Sequence, residues 1–513
     1  MLTLLKIFLV ALIGSLLLTP MVRRLALRLG MVDVPDQHRK LHNGPVPLGG
    51  GIAVVGGCCL ALAVAFALSA RWRERFLDES VSLAGLFLAT LVICGLGLLD
   101  DRFRLRGRQK LAGQVLAGVI VLSTGLVIQQ VTVFDWRIEL GLLAVPFTLF
   151  WILGATNALN LIDGVDGLAT SVGIVLSVAV SIMALLAGHM TDAILAMAVA
   201  GGLAGFLVYN APPASIFLGD AGSMFVGLLL GTLAIRSSLK GPATIALAAP
   251  AALLAIPILD VAMAILRRKL TGRSIYATDR GHLHHRLIGR GYGAGRTVVT
   301  IGLLCSLTAV AAVFSEYSQN DVMAVAAVIA VVAVLAISRL FGDREFVLLL
   351  RRLKQLVASL IPRWNRREQR SGVLQARIQS SGQWDELWET LTTFAERFDL
   401  NDIQLNVHLP AQDEEYHASW QRKERPRDAE IWRSEIPLIA NDITVGRLRI
   451  TGQCSNCSVC AWMGDLIAGL KPFETHMLEL IDAVAEPEDV ANLLPTVSTR
   501  HQPDAVPASR ESA

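Results

Sequence analysis

The sequence predicts an all-α polytopic membrane protein of about eleven transmembrane helices, followed by a C-terminal cytoplasmic α+β domain. Three observations carry that prediction. The 513 residues are 53% hydrophobic and only 17% charged, with a mean hydropathy of +0.53, whereas soluble domains carry about 25% charge. The apolar excess is confined to residues 1–341, and the residues beyond Phe341 have the composition of a soluble chain. Basic residues, finally, gather in alternate loops of the apolar part. Together these exclude a disordered chain, a disulfide-stapled mini-domain and an ordinary soluble enzyme. A net charge of +3 gives no ground for a nucleic-acid partner.

A hydrocarbon core of about 30 Å needs about 20 helical residues to cross it. Apolar runs of that order fall at 2–20, 49–69, 81–99, 110–128, 139–157, 168–187, 190–209, 222–238, 242–265, 297–315 and 321–341. The first reads as a membrane helix and not a cleaved leader, since no A-x-A site follows and Arg23 and Arg24 flank its far end. Loops after odd-numbered runs hold Arg23, Arg24, Arg28, Arg39 and Lys40, then Arg102 to Lys110, then Arg267 to Arg296; loops after even-numbered runs are poorer in positive charge. The odd loops and the polar tail are therefore expected in the cytoplasm and the amino terminus outside. The cluster Arg71, Arg73 and Arg75 runs against this scheme.

The acidic and histidine-rich sequence falls in the same odd loops. Asp100-Asp101 ends the third run, Asn157-Ala-Leu-Asn160-Leu-Ile-Asp163-Gly-Val-Asp166-Gly follows the fifth, Gly219-Asp220-Ala-Gly-Ser223 precedes the eighth, and His282-Leu-His284-His285 follows the ninth. Carboxylates beside lipid are costly unless paired, hydrated or metal-bound, so an ionisable residue at the boundary signals function. Asp100, Asp101, Asp163, Asp166 and Asp220 offer oxygen ligands that suit a hard ion such as Mg²⁺, held by one or two carboxylates plus substrate phosphates. Span eight starts just after Asp220, and a helix amino terminus beside a glycine turn favours phosphate. With Arg102, Arg104, Arg280 and Arg286 this face reads as a diphosphate site, although those arginines also satisfy the positive-inside rule alone. The histidines could ligate a transition metal, but no cysteine shares their loop, and contact with a nucleotide diphosphate is the expected role. Asp260, inside span nine, either borders the same groove or pairs with Arg267 or Arg268. Cys58, Cys59, Cys94 and Cys305 lie in apolar runs and read as small core residues.

These blocks resemble the polyprenyl-phosphate N-acetylhexosamine-1-phosphate transferase family. The matching stretches are Pro35 to His42 with Pro47-Leu-Gly-Gly-Gly, the Asp100-Asp101 pair, NALNLIDGVDGLA at 157–169, FLGDAGSMFVG at 217–227 and DRGHLHHRL at 279–287, in family order across about residues 20–290. The resemblance implies transfer of GlcNAc-1-phosphate, or a related N-acetylhexosamine-1-phosphate, from the UDP-sugar to undecaprenyl phosphate, with Mg²⁺ (or Mn²⁺ in its place) as cofactor. It implies catalytic roles for Asp100 and Asp101, and metal binding by Asp220 and Asp163. Substrate contacts would come from Asn160, Asp163, Asp166, His282, His284, His285 and, in the first loop, Arg39, Lys40 and His42. It further implies a bacterial inner-membrane enzyme with its site in the cytoplasm; a homodimer is left open. His282-Leu-His284-His285 is similar to the block of the GlcNAc-using branch. The branch that transfers phospho-N-acetylmuramoyl-pentapeptide carries three histidines followed by Phe-Glu, where Arg286-Leu287 stands here. Asp163-Gly-Val-Asp166-Gly is superficially similar to the start of the CDP-alcohol phosphotransferase motif, but the apolar run after Ser171 lacks the further Asp residues of that motif. A transporter, the non-enzyme alternative, would bind near the midplane between repeats, and no repeat is visible.

Residues 342–382 mix apolar and basic residues as a juxtamembrane helix and linker would. Residues 383–484 read as a small α+β domain: a helix over 383–398, strands over 402–409, 415–421, 430–439 and 443–451, and a closing helix over 459–484. Cys454, Cys457 and Cys460 offer three thiolates without an adjacent fourth ligand, so reduced thiols are expected. Residues 485–513 have a disordered composition.

Overall fold

The computed structural model describes residues 2–33, 45–133, 136–241, 244–270, 281–338, 340, 373–378, 383–398, 400–409, 414–422, 430–440, 443–454 and 473. The chain divides into two units, Met1–Leu353 and Lys354–Ala513.

The first unit is a helical bundle. In chain order its helices are α1 Leu2–Arg28, α2 Gly50–Leu68, α3 Ala70–Asp78, α4 Ser80–Phe103, α5 Gly107–Ser123, α6 Ala144–Ile162, α7 Leu168–Leu186, α8 Met190–Asn210, α9 Gly219–Ser237, α10 Ala248–Leu253, α11 Ala255–Leu270, α12 Leu283–Gly289, α13 Ala294–Ser318 and α14 Asp321–Ile337. Among the described residues, seven helices are long and apolar enough to cross a membrane: α1, α2, α4, Gly141–Ile162 including α6, α7, α8 and α13. The other four expected runs meet helices that are shorter or less apolar. Helices α5 and α14 have 17 residues each, and α9 carries Asp220 and Arg236 in its end turns.

The expected continuous run 242–265 is broken. Residues Thr244–Ala246 form a strand, and the helix after it is interrupted at Leu254. Pro257 explains the interruption, because it has no N–H for the carbonyl of Leu253 and its ring crowds that carbonyl. Strands β1 Val32–Asp33 and β2 Val46–Pro47 pair with each other near the entry to α2. A four-stranded sheet, β3 Gln130–Val133, β4 Trp136–Glu139, β5 Leu239–Gly241 and β6 Thr244–Ala246, runs in the order β4-β3-β6-β5.

Helices α8 and α9 form the middle of the bundle, with nearly every residue of α9 buried. Apolar side chains on the outside are the counterpart of that core, since lipid is as apolar as leucine. On α1, Leu5, Leu9, Ile13 and Leu17 recur every four residues and are all exposed. Helix α3 gives the Arg71–Arg75 cluster a local role: Arg73 donates to the Phe66 and Ala67 carbonyls at 3.4 Å each, satisfying the end of α2, while Trp72 is buried.

The second unit has a helix α15 Gln383–Arg397 and five strands: β7 Val373–Ile378, β8 Asp402–Leu409, β9 Glu414–Gln421, β10 Glu430–Ala440 and β11 Ile443–Cys454, in the order β10-β11-β8-β9-β7. The described pairings are all antiparallel. Leu387, Trp388, Leu391 and Ala395 of α15 share a core with Ile403, Leu405, Val407, Trp420, Leu448 and Ile450, joined by Phe473. Strand β7 falls in the segment that reads from sequence as linker, and its pairing with β9 is what makes it a strand. The rest of the expected closing helix, Cys457, Cys460, the Cys454 side chain and residues 485–513 lie outside the described residues.

Candidate active site

Four helix ends meet on one side of the bundle. Asp100 and Asp101 sit in the last turn of α4, Lys110 in the first turn of α5, Asn160 in the last turn of α6 and Asp220 in the first turn of α9. Lys110 joins them: its Nζ lies 2.9 Å from Asp100 Oδ2 and 2.6 Å from Asp220 Oδ2. Asn160 Nδ2 donates to Asp220 Oδ1 at 2.6 Å and to Ser223 Oγ at 2.9 Å. The Asp220 N–H donates to Asp101 Oδ1 at 3.0 Å, so Asp101 receives a first-turn N–H of α9, one that has no partner within the helix. Asp100 Oδ1 in turn accepts from the Leu105 N–H at 2.7 Å, closing the turn after α4.

Gly219 makes this approach feasible. Its φ is +75°, and a Cβ there would stand 2.6 Å from Asp101 Oδ2. One layer deeper, Gln114 and Asn157 exchange amide hydrogen bonds of 3.2 and 2.9 Å, tying α5 to α6.

Asp163 ends α6, partly buried, and its carboxyl is held well above the usual carboxylate range, by burial first and then by the charges of Asp220, Asp101 and Asp166. Asp166 accepts the Ala214 N–H at 2.8 Å and so organises the loop leading into α9. The histidines adjoin this acidic turn. A Cβ on Gly164 would lie 2.5 Å from His284 Nε2, so the turn and the imidazole touch. His284 is buried, its Nδ1 has no hydrogen-bond partner, and burial followed by the neighbouring His285 brings its pKa down to about 3. Its ring lies 5.7 Å from that of His282, nearly parallel, and 4.3 Å from that of His285. His282 Nδ1 donates to Asp260 Oδ2 at 2.9 Å. Asp260 therefore faces the histidine segment, where sequence reasoning offered a groove or an arginine partner.

The structure thus gathers Asp100, Asp101, Asn160 and Asp220 directly, and brings Asp163, Asp166, His282, His284 and His285 alongside. Arg39, Lys40, His42 and Arg280 lie outside the described residues. Arg102 and Arg104 are exposed, and Arg286 donates to the Leu340 carbonyl at 3.3 Å. Sequence reasoning missed Lys110 as a site residue. The available signal was its spacing from Gln114, which puts two polar groups on one face of an otherwise apolar helix.

Among the described residues, no three Asp, Glu, His or Cys side chains form a ready-made metal group. A hard cation that brings phosphate ligands with it needs fewer. Three features fit one: an all-oxygen donor set, a buried Asp101 Oδ2 without a hydrogen-bond partner, and the close approach that Gly219 permits.

An apolar bundle that keeps half-buried carboxylates, a lysine and amides together at one end of its helices is built as a membrane-embedded enzyme for a charged group. Comparison with known proteins identifies the class further. Residues 83–238 match the model of glycosyl transferase family 4. The chain is 35% identical over 308 residues to the Bacillus subtilis (strain 168) protein named probable undecaprenyl-phosphate N-acetylglucosaminyl 1-phosphate transferase, covering 59% of this chain and 83% of that one. It is 34% identical over 313 residues to the decaprenyl-phosphate N-acetylglucosaminephosphotransferase of Mycobacterium tuberculosis (strain ATCC 25618 / H37Rv), covering 56% and 76%. Identity is 28% over 295 residues to the Escherichia coli (strain K12) undecaprenyl-phosphate alpha-N-acetylglucosaminyl 1-phosphate transferase, covering 56% and 77%. The chain belongs to glycosyl transferase family 4, among the polyprenyl-phosphate N-acetylhexosamine-1-phosphate transferases.

Proposed function

We propose that this protein transfers GlcNAc-1-phosphate, or a related N-acetylhexosamine-1-phosphate, from its UDP-sugar to undecaprenyl phosphate, starting a cell-envelope polysaccharide. The observation that carries the reading is the meeting of Asp100, Asp101, Lys110, Asn160 and Asp220 at four helix ends, in a chain whose relatives bear the names above. Those names favour the GlcNAc branch over the muramoyl-pentapeptide branch, as does His282-Leu-His284-His285. The site faces the cytoplasm in this reading, in a bacterial inner membrane crossed about eleven times, because a polyprenyl tail keeps its phosphate at headgroup level.

In the reaction, an oxygen of the lipid phosphate bonds to the sugar-bearing phosphorus of the UDP-sugar. The bond from that phosphorus to the bridging oxygen breaks, and UMP leaves with the electron pair. The acceptor has its second pKa near 6 and is mostly dianionic at pH 7, so it needs no strong base. What it needs is cancelled repulsion and alignment. Lys110 supplies positive charge, Asn160 orients Asp220, and Asp101 anchors the first turn of α9. Asp220 and Asp163 would hold Mg²⁺, with Asp100 and Asp101 beside them; the ion supplies neutralisation of phosphate charge. Direct attack is favoured over a phospho-Asp intermediate.

The test is a membrane assay of undecaprenyl phosphate with several UDP-sugars and Mg²⁺, comparing wild type with Asp220→Ala. Transfer from UDP-GlcNAc that collapses in the variant is expected, and activity untouched by the substitution removes the assignment of Asp220. Incubating enzyme, UDP-GlcNAc and labelled UMP without lipid phosphate separates the two routes, since label entering UDP-GlcNAc would sink direct attack.

A further inference from the structure

We propose that Asp260 is a positioning residue for this transfer, fixing the His282–His285 segment from α11 against the acidic turn that follows α6. The inference rests on the function proposed above only for the kinetic half of its test.

Asp260 is 3% exposed, and a carboxylate so enclosed must have hydrogen-bond donors. Among the described residues, both of its donors come from the histidine segment. Oδ2 accepts from His282 Nδ1 at 2.9 Å and Oδ1 accepts the Leu283 N–H at 2.9 Å, the latter a free first-turn donor of α12. One side chain of α11 therefore caps α12 and orients its leading imidazole. Because an ionised carboxylate only accepts, His282 carries hydrogen on Nδ1, and its Nε2 is directed away from Asp260. Arg267, seven residues on and so on the same face of α11, packs its guanidinium where a Cβ of Gly281 would be, 2.5 Å away. The entry to the segment is thereby held by the same helix.

The alignment passes onward by stacking. His282 and His284 are nearly parallel, with 7° between their planes, and His284 Nε2 meets Gly164 in the turn between Asp163 and Asp166. The buried Nδ1 of His284, without a partner, is then the polar atom this stack holds in place. Loss of Asp260 frees the first ring, and with it the register of the second against Gly164. The segment it steadies is the one assigned above to the sugar nucleotide, so the cost falls on nucleotide binding more than on turnover.

The experiment uses the full chain in detergent or nanodiscs. Carbethoxylation by diethylpyrocarbonate, read by mass spectrometry on the peptide carrying His282, His284 and His285, reports the segment without any substrate. In wild type, exposed His285 reacts while His282 and His284 are protected. In Asp260→Ala, assayed well below its thermal midpoint, His282 and His284 are expected to react about tenfold faster, and KM for UDP-GlcNAc to rise about tenfold with a smaller change in kcat. Asp260→Asn keeps an amide oxygen for the Leu283 N–H and is expected to keep much of the protection. Unchanged protection and KM in Asp260→Ala overturn the proposal. So does equal loss of thermal stability and protection in both variants, which marks a structural role. A wild type that turns over no UDP-sugar refutes the transfer reading instead, and the footprint still decides the role of Asp260.

Discussion

Replacing Lys110 by methionine tests whether the ammonium and a divalent cation share the same oxygens. Lys110→Met keeps the length of the side chain and removes its charge. Two charge-assisted contacts are lost, to Asp100 at 2.9 Å and Asp220 at 2.6 Å, each worth at most about 1.5–3 kcal/mol when fully enclosed. The three side chains retain 19%, 10% and 29% exposure, so water takes over part of the role and a net loss of about 2 kcal/mol is expected without divalent cation. The two carboxylates, both within reach of one nitrogen, are then left facing each other. A bound cation at hundredfold excess over its Kd would stabilise the fold by about 2.7 kcal/mol, and if it takes the same oxygens it would first have to displace the ammonium in wild type. The assay is thermal unfolding of the purified full chain, followed by tryptophan fluorescence in EDTA and in saturating Mg²⁺. The variant should unfold at lower temperature in EDTA and gain more from Mg²⁺ than wild type does. An equal gain in both proteins would show that the lysine and the cation do not compete, and would refute the assignment of Asp220 to the metal.

Three further outcomes rest on particular contacts. Arg236, which binds Asp192 at 2.8 Å, Glu79 at 2.9 Å and the Ser82 hydroxyl, leaves an enclosed Asp192 with only the longer His189 contact when changed to methionine. Thermal unfolding should register a loss of about 3–5 kcal/mol, partly recovered by adding Asp192→Asn. Gly219→Ala adds a Cβ at φ +75° and 2.6 Å from Asp101 Oδ2, at a backbone cost of about 1–2 kcal/mol. The transfer assay should then fall by at least about tenfold while circular dichroism is unchanged. His189, 3.5 Å from Asp192 Oδ2, has its pKa raised by that carboxylate. Its charged form is therefore favoured in the fold: the added stability is present in full below the ordinary histidine range and fades as pH rises through the raised value. Stability measured across that interval should decline in wild type and lose this component in His189→Gln.

The bundle is legible in the sequence because lipid demands long apolar helices, and that demand leaves a one-dimensional trace. Short strands leave none. Thr244–Ala246 reads as part of a membrane helix because Ile245 and Ala246, among further Ala and Leu, fit either form, and pairing with β3 and β5 decides. In the second unit the expected strands at 402–409 and 430–439 match β8 and β10 closely, since their alternation faces one way onto α15. Strand β7 escapes such a reading because its partner lies about 40 residues later and the basic residues around it suggest a surface helix. In the site, the acidic residues stand out as charges beside lipid. Lys110 does not, because a cation at a loop already satisfies the positive-inside rule. Asp260 pairs in sequence with its near neighbours Arg267 and Arg268, whereas its partner His282 comes 22 residues later.

The same physics acts at both ends of α9. Its first turn holds Asp220 and its last holds Arg236, the arrangement that the helix dipole favours. Nineteen residues separate the ends by about 28 Å, and nearly all of them are buried, so the helix has little freedom to tilt or slide within the bundle. At the far end Arg236 is clamped by Glu79 before α4 and Asp192 of α8; at the near end Asp220 is gripped by Lys110 of α5, Asn160 of α6 and, through its own N–H, Asp101 of α4. Helix α4 is therefore tied to α9 at both ends. A buried ion pair of this kind adds little to net stability against an apolar replacement, but breaking one partner is expensive, which favours a single register over a slipped one. Register is what the site requires: a slip of one residue along α9 moves Asp220 by about 1.5 Å and rotates it by about 100°, out of reach of Lys110 and Asn160. The Glu79–Arg236–Asp192 cluster, far from the chemistry, is on this account part of what keeps Asp220 where the phosphates are expected.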